Sequence, residues 1–88
     1  MLRLWTRVIR HNKIVEEAVT ESPQPDEPSA VAEALHAACV RLDIARPMWL
    51  SLNDKDMEEY RRTTLTQENF LEDIHFDRME IEILEEEE

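Results

Sequence analysis

Two histidine-centred groups are the first places to look for chemistry. His36 and Cys39 stand three residues apart in "LHAAC", which makes them neighbours if the segment is helical. A Cys–His nucleophile pair needs an activated thiolate, a positioned base and an oxyanion site. The surrounding alanines offer no such donors, and the pair lies well inside the segment, away from the helix N-terminus that would acidify a thiol. Cys39 reads as a semi-buried structural residue. His75 sits between Asp73 and Asp77 in "EDIHFD". On a strand the three would share a face, and such a row could hold a metal ion. One histidine without a second is a weak ligand set, and a solvated strand edge is the simpler reading. His11 reads as a turn residue.

The acidic stretch "NDKDMEE" (53–59) superficially suggests a calcium loop, but it has neither the glycine nor the alternating oxygen ligands. Its acids, Asp54/Asp56 and Glu58/Glu59, could serve acid–base chemistry only inside a pocket. A solvated helix face is the plainer account. The chain contains no glycine, which excludes glycine-rich phosphate loops and dinucleotide turns. No catalytic residue, cofactor or metal site is assigned.

The remaining candidates are surface anchors. Trp5 alternates with Arg3, Arg7 and Ile9 along one face of the first segment, and these four are the interface candidates. A tryptophan among charged residues is a typical interface anchor. Burial under a loop, or stacking against Arg3 and Arg7, is an equal alternative. Trp49, beside Pro47, Met48 and Leu50, reads as a core plug below a helix end.

These residues need a scaffold. Eighty-eight residues make a single domain, 1–88. Residues 2–9 alternate, with Leu2, Leu4, Thr6 and Val8 on the inner face, and "IVEEAVT" (14–20) is also strand-prone. Asn12 suits a tight turn between them. Pairing Ile9 with Ile14, Val8 with Val15 and Arg7 with Glu16 gives the better register, although it leaves Glu17 on the core side opposite Thr6. Three prolines mark 21–28 as a loop. Asp26 or Ser29 then caps a helix over 29–43, with Val31, Ala34, Leu35, Ala38 and Leu42 at helical spacing. Pro47 stops it.

In "PMWLSLNDKDMEEY" the extended "PMWLSL" leads to a short helix near 54–62. Asn53 is its cap, and Leu52 and Met57 form a hydrophobic staple. The same grammar in Leu65, Thr66 and Phe70 predicts a further turn at 67–72. "RMEIEIL" (78–84) is a strand with Met79, Ile81 and Ile83 on one face. The acidic tail 85–88 frays. Arg3 and Arg7 on the first strand match Glu80 and Glu82 on the last, so the first strand is central, between 14–20 and 78–84. The expected fold class is α+β, a small mixed sheet of the N-terminal hairpin and C-terminal strand covered by one main helix. The element order is β-grasp-like (ubiquitin-like), and the alternative is another small α+β sheet with one or two covering helices.

The segments "LWTRVIRHNKIV" and "RPMWLSLNDKDMEEYRRTTLTQENFLEDIHFDRMEIEIL" resemble a family of small, acidic, uncharacterised proteins of anaerobic Gram-positive bacteria. That family's pattern has an N-terminal LW hairpin, a helix ending in "LD", an "RPxWL" segment and a closing acidic strand. The resemblance covers most of the chain except the proline-rich loop. It implies a bacterial, cytosolic, single-domain protein and carries no activity.

Net charge is −11, unevenly spread: +2 over residues 1–20 and −13 over 21–88. Such acidity repels nucleic acid and anionic membranes, and it either solubilises the chain or faces a basic protein partner. A single cysteine fits a reducing compartment, and the absence of a signal peptide or long apolar run points to the cytoplasm. The leading functional expectation is non-enzymatic protein–protein interaction. Alternatives are an acidic nucleic-acid mimic bound by a DNA-binding protein and, less favoured, a small enzyme or metal site. The edge strand at 14–20 leaves pairing into a homo-oligomer open.

Overall fold

A two-residue connection decides how the chain begins. His11 and Asn12 both adopt left-handed backbone, with φ of 53° and 61°, the geometry whose twist suits a hairpin turn. They join β1 (Leu2–Arg10) to β2 (Lys13–Ser22). The computed structural model describes residues 1–84, so the tail at 85–88 lies outside the described residues.

Ile9 pairs with Ile14 as expected, but a bulge then shifts the register by one. Val8 faces Glu16, Arg7 faces Glu17 and Leu4 faces Thr20, in place of the expected Val8–Val15 and Arg7–Glu16 pairs. The physical reason is Glu17. A regular ladder would turn its carboxylate toward the core, whereas one extra residue puts it on the outer face opposite Arg7. The bulge also turns Ala18, Thr20 and Ser22 inward, where all three are buried.

Small inward residues on β2 allow a helix to lie close. Helix α1 (Glu27–Leu42) buries Ala30, Val31, Ala34, Leu35, Ala38 and Cys39 against β2 and β1. The Thr20 hydroxyl donates to the Ala34 carbonyl at 2.7 Å, which a bulkier interface would not permit. Asp26 caps α1, accepting from the Ser29 amide at 3.0 Å. The Ser29 side chain first, and then its backbone amide, favour the charged form and hold the Asp26 carboxyl below its ordinary 3.8. The loop expected over 21–28 is shorter at both ends. Ser22 still belongs to β2, and Glu27 and Pro28 already belong to α1. Proline is acceptable there because a first-turn amide has no helical partner to lose.

Strand β4 (Arg78–Leu84) pairs with β1 and makes it central. Its inner face carries Met79, Ile81 and Ile83, all buried. On the outer face Arg7 reaches Glu80 and Glu82, each at 3.4 Å. Arg3 instead pairs with Glu21 on β2, at 3.9 Å, because its neighbour on β4 is Leu84.

The chain just beyond the second helix, from the last residue expected in it, forms an unforeseen strand. Helix α2 spans Ser51–Tyr60 and ends at Arg61 in left-handed backbone, φ 56°. Residues Arg62–Leu65 then form β3, which pairs with β4. The sheet order is β2-β1-β4-β3. The fold is α+β, the sheet made from the N-terminal hairpin and the closing strand and covered by one main helix. Every pairing in it is antiparallel. The order of hairpin, covering helix, irregular stretch and closing strand is the one expected. A 3₁₀ turn, Gln67–Asn69, stands where a turn at 67–72 was expected.

Asn53 is not the cap of α2 but its third residue, and it is 2 % exposed. Its Oδ1 accepts from the Leu50 amide at 3.1 Å and from Asn69 Nδ2 at 2.8 Å. Its Nδ2 donates to the Thr63 hydroxyl at 2.9 Å and the Thr64 carbonyl at 3.2 Å. Asn69 repeats the device, accepting from the Thr66 amide and donating to the Met48 carbonyl. Leu52, expected to staple against Met57, is 65 % exposed. Moving the helix start three residues earlier rotates it outward.

Two outcomes follow for stability. Asn53→Ala orphans several buried partners, each worth about 1–3 kcal/mol; urea denaturation should show a loss of at least ~2 kcal/mol, whereas an unchanged midpoint would remove the network's role. Asp43 ends α1 in left-handed backbone, φ 55°, with its charge at the negative end of the helix dipole. Asp43→Gly should raise stability by about 0.5–1 kcal/mol, read as an increase of several degrees in Tm.

Candidate functional site

Helix α1 rests chiefly on β2 and β1, and α2 chiefly against β3. Between the two helices runs a groove of about 550 Å³. Its floor and walls are apolar, built from Val31 and Leu35 of α1, Met57 of α2, and Pro47 and Trp49 of the segment before α2. Val31, Leu35 and Met57 are each 6 % exposed, so they are both core and groove floor.

The segment from Pro47 to Leu50 has no helix or strand to hold it, and is fixed by one bond to the Asn69 backbone and one from its side chain. The Met48 amide donates to the Asn69 carbonyl at 2.6 Å, and Asn69 Nδ2 returns a bond to the Met48 carbonyl at 2.9 Å. Trp49 is thereby presented at the groove rather than in the core, 37 % exposed, which corrects its assignment as a core plug. Its indole N–H donates to Asp54 Oδ1 at 2.7 Å, which sets the ring's orientation. Around this apolar lining stand Glu27, Asp54 and Glu58, with His36 and Arg46. Arg61 pairs with Glu27 at 3.4 Å and ties the end of α2 to the start of α1.

The anchors foreseen on β1 are placed differently from one another. Trp5 is half-buried on the outer sheet face, with the Arg7 guanidinium 4.2 Å from its ring centroid. Arg7 is at once stacked on Trp5 and paired with Glu80 and Glu82. Arg3 is occupied with Glu21. These three share one face; Arg7 is paired within the chain, whereas Arg3 has only the long 3.9 Å contact with Glu21 and its Nε lacks a hydrogen-bond partner. Ile9 does not belong with them as an exposed anchor, being 5 % exposed next to the bulge.

The histidine groups do not assemble. His36 is exposed at the groove while Cys39 is buried. Burial pushes the Cys39 thiol above its ordinary 9.0, with Arg46 acting weakly in the opposite sense. His75 lies in the irregular segment before β4, not on a strand, and is exposed. Asp77 is engaged by the His11 backbone amide at 2.8 Å. Among the described residues no three His, Cys, Asp or Glu side chains gather as a ligand set. A second hollow, about 470 Å³, lies beside β3 and is lined by Arg7, Asp56, Tyr60, Arg62 and Glu80. Its charges alternate in sign, which selects no one ligand chemistry.

Sequence reasoning missed the groove. The signal was available in "RPMWL": a proline fixes an extended approach, so the following Met, Trp and Leu cannot all turn inward. Among the described residues no helix is long and apolar enough to cross a membrane. Compared with protein-family models, curated proteins and solved structures, the chain matches none.

Cys39 gives a direct check on this arrangement. A neutral, buried thiol stabilises the fold below its ordinary 9.0, and that contribution declines as pH rises toward the higher folded value. At pH 8 iodoacetamide should label Cys39 only as fast as the protein unfolds, and urea should restore free-thiol reactivity. Rapid labelling of the native protein would mean that Cys39 is accessible and activated.

Proposed function

We propose that this chain is a non-enzymatic protein-binding module. Its ligand is a peptide segment with an apolar anchor flanked by lysine or arginine, held in the groove between α1 and α2. The observation that carries this reading is Trp49, half-exposed and oriented by Asp54 over a groove floored by Val31, Leu35 and Met57. Large rigid aromatics beside a desolvated pocket supply much of the energy of protein recognition. Asp54 and Glu58 at the rim favour a basic partner, with Glu27 already paired to Arg61, in keeping with the net charge of −11.

The groove supports this better than the Trp5 face does. There Arg7 is spent on its pairs with Glu80 and Glu82, and binding would have to break them. The same pairs weigh against a nucleic-acid mimic. Arg7 and Arg78 interrupt what would otherwise be a continuous row of carboxylates on the sheet. A small enzyme finds little support, since His36 and Cys39 lie in different environments. The lone, buried cysteine suits the reducing cytoplasm, the compartment we assign.

A random peptide library displayed on phage and selected against the full chain tests the reading. Enriched sequences should share a Trp, Phe or Leu with neighbouring Lys or Arg. Trp49→Ala should weaken a selected peptide by about 30-fold or more, while Trp5→Ala leaves affinity intact. Peptides without that pattern, or indifference to Trp49→Ala, would end the groove assignment.

A further inference from the structure

The two edges of the sheet are treated differently. β3 is covered: α2 lies against it, and Asn53 Nδ2 occupies the outward Thr64 carbonyl. β2 is the other edge, ten residues long. In an antiparallel ladder alternate residues point their backbone groups to alternate sides. With Ala18, Thr20 and Ser22 turned to β1, the N–H and C=O groups of Glu17, Val19 and Glu21 point outward. The Arg41 side chain, donating to the Val19 carbonyl at 3.0 Å, marks that direction. Ile14, Val15 and Val19 are 48, 52 and 40 % exposed along the same strand.

The geometry points to β2 as a second binding surface, separate from the groove, that accepts an extended segment with alternating apolar and basic side chains as a fifth strand. Charge selects the occupant. Glu16 and Glu17 make no ion pair among the described residues, and Arg7, across from Glu17, is committed to Glu80 and Glu82. Glu21 holds Arg3 only at 3.9 Å, on a half-exposed side chain. A basic strand would find three carboxylates beside an outward row of backbone groups, and would have to displace the Arg41 side chain from the Val19 carbonyl. A second copy of the chain would not. Edge-to-edge pairing sets these three glutamates against the same three between molecules of net charge −11 each, with Lys13 on the strand and Arg41 at the Val19 carbonyl offsetting part of the repulsion. The bulge and the glutamates thus block self-association while leaving the edge open to the opposite charge.

Nitrogen-15 NMR of the full chain titrated with an acetylated decapeptide of alternating valine and lysine tests this. Amide exchange at Glu17, Val19 and Glu21 should slow at least tenfold at saturation, and chemical-shift changes should centre on β2. A valine–glutamate decapeptide should not bind. Val19→Pro removes an outward N–H that an edge strand does not use in its own ladder, and it should abolish binding. Glu17→Gln, which keeps every backbone group, should weaken binding several-fold, so the result survives if Val19→Pro fails to fold. Trp49→Ala should change nothing, which separates this surface from the groove. Shifts centred on Val31, Leu35 and Trp49, no slowing at β2, or a dimer protecting the same amides without peptide would each overturn the proposal.

Discussion

The buried amide pair Asn53–Asn69 is the constraint on which the second half of the chain depends. Residues 44–77 contain only ten helical residues, a four-residue strand and one 3₁₀ turn. Such a stretch leaves many backbone groups without regular partners, and each buried orphan is costly. The two asparagines meet that demand from the inside. Asn53 makes all four bonds an amide can make, and Asn69 ties Thr66, Met48 and Asn53 together. Thr63 passes the network on to Asp56 at 2.9 Å. Because every member is satisfied, the network adds specificity without the penalty a half-paired one would bring. It fixes the start of α2, the edge of β3 and the path of Pro47–Leu50 as one unit. The groove wall is a consequence, since Trp49 stands on that path.

The first half of the molecule is held by a different principle. Side-chain size sets the separation of α1 from the sheet. Alanines 30, 34 and 38 on the helix meet Ala18, Thr20 and Ser22 on β2, and the close approach is registered by the Thr20–Ala34 bond. Larger residues, Leu4, Val8, Leu35, Met79, Ile81 and Ile83, fill the deeper space over β1 and β4. The β2 bulge serves this packing: without it the glutamates and the small residues would exchange faces.

What the sequence made legible follows from how local each signal is. Alternation in β1 and β4, the alanine-rich helix and the Arg–Glu match that makes β1 central are all periodic or pairwise cues, and the sheet and its covering helix were readable from them. The bulge was not, because a regular ladder and a bulged one share the Ile9–Ile14 start and differ only in where Glu17 ends up. Strand β3 was invisible for another reason. "RTTL" is too short to show a period, and it is a strand only because β4 is beside it and Asn53 holds its far edge. Asn53 itself reads as a cap from sequence, since asparagine's local roles are surface roles; its burial depends on Asn69, sixteen residues away. Trp49 was misplaced by the same blindness to Asn69, which holds the Met48 backbone and leaves the Met48 side chain and the neighbouring indole both at the surface.

The charge distribution joins these two halves. Screening confines a surface charge to roughly 8–10 Å at physiological ionic strength, so a net charge matters less than where its unpaired members stand. On the outer sheet face Arg7 sits between Glu80 and Glu82, its side chain only 13 % exposed, and Arg78 adds a second bond to Glu80. That face is close to neutral locally despite its many ions. The excess acid is displaced to two other places, the rim of the groove and the free edge of β2. Both border apolar side chains that the fold leaves uncovered. An acidic rim around an apolar floor and an acidic strand beside open backbone groups differ in geometry, yet they ask for the same chemistry in a partner: an apolar segment carrying positive charge. A single basic chain could satisfy both only if it spanned from β2 across α1 to the groove, so the two surfaces are better matched to separate segments.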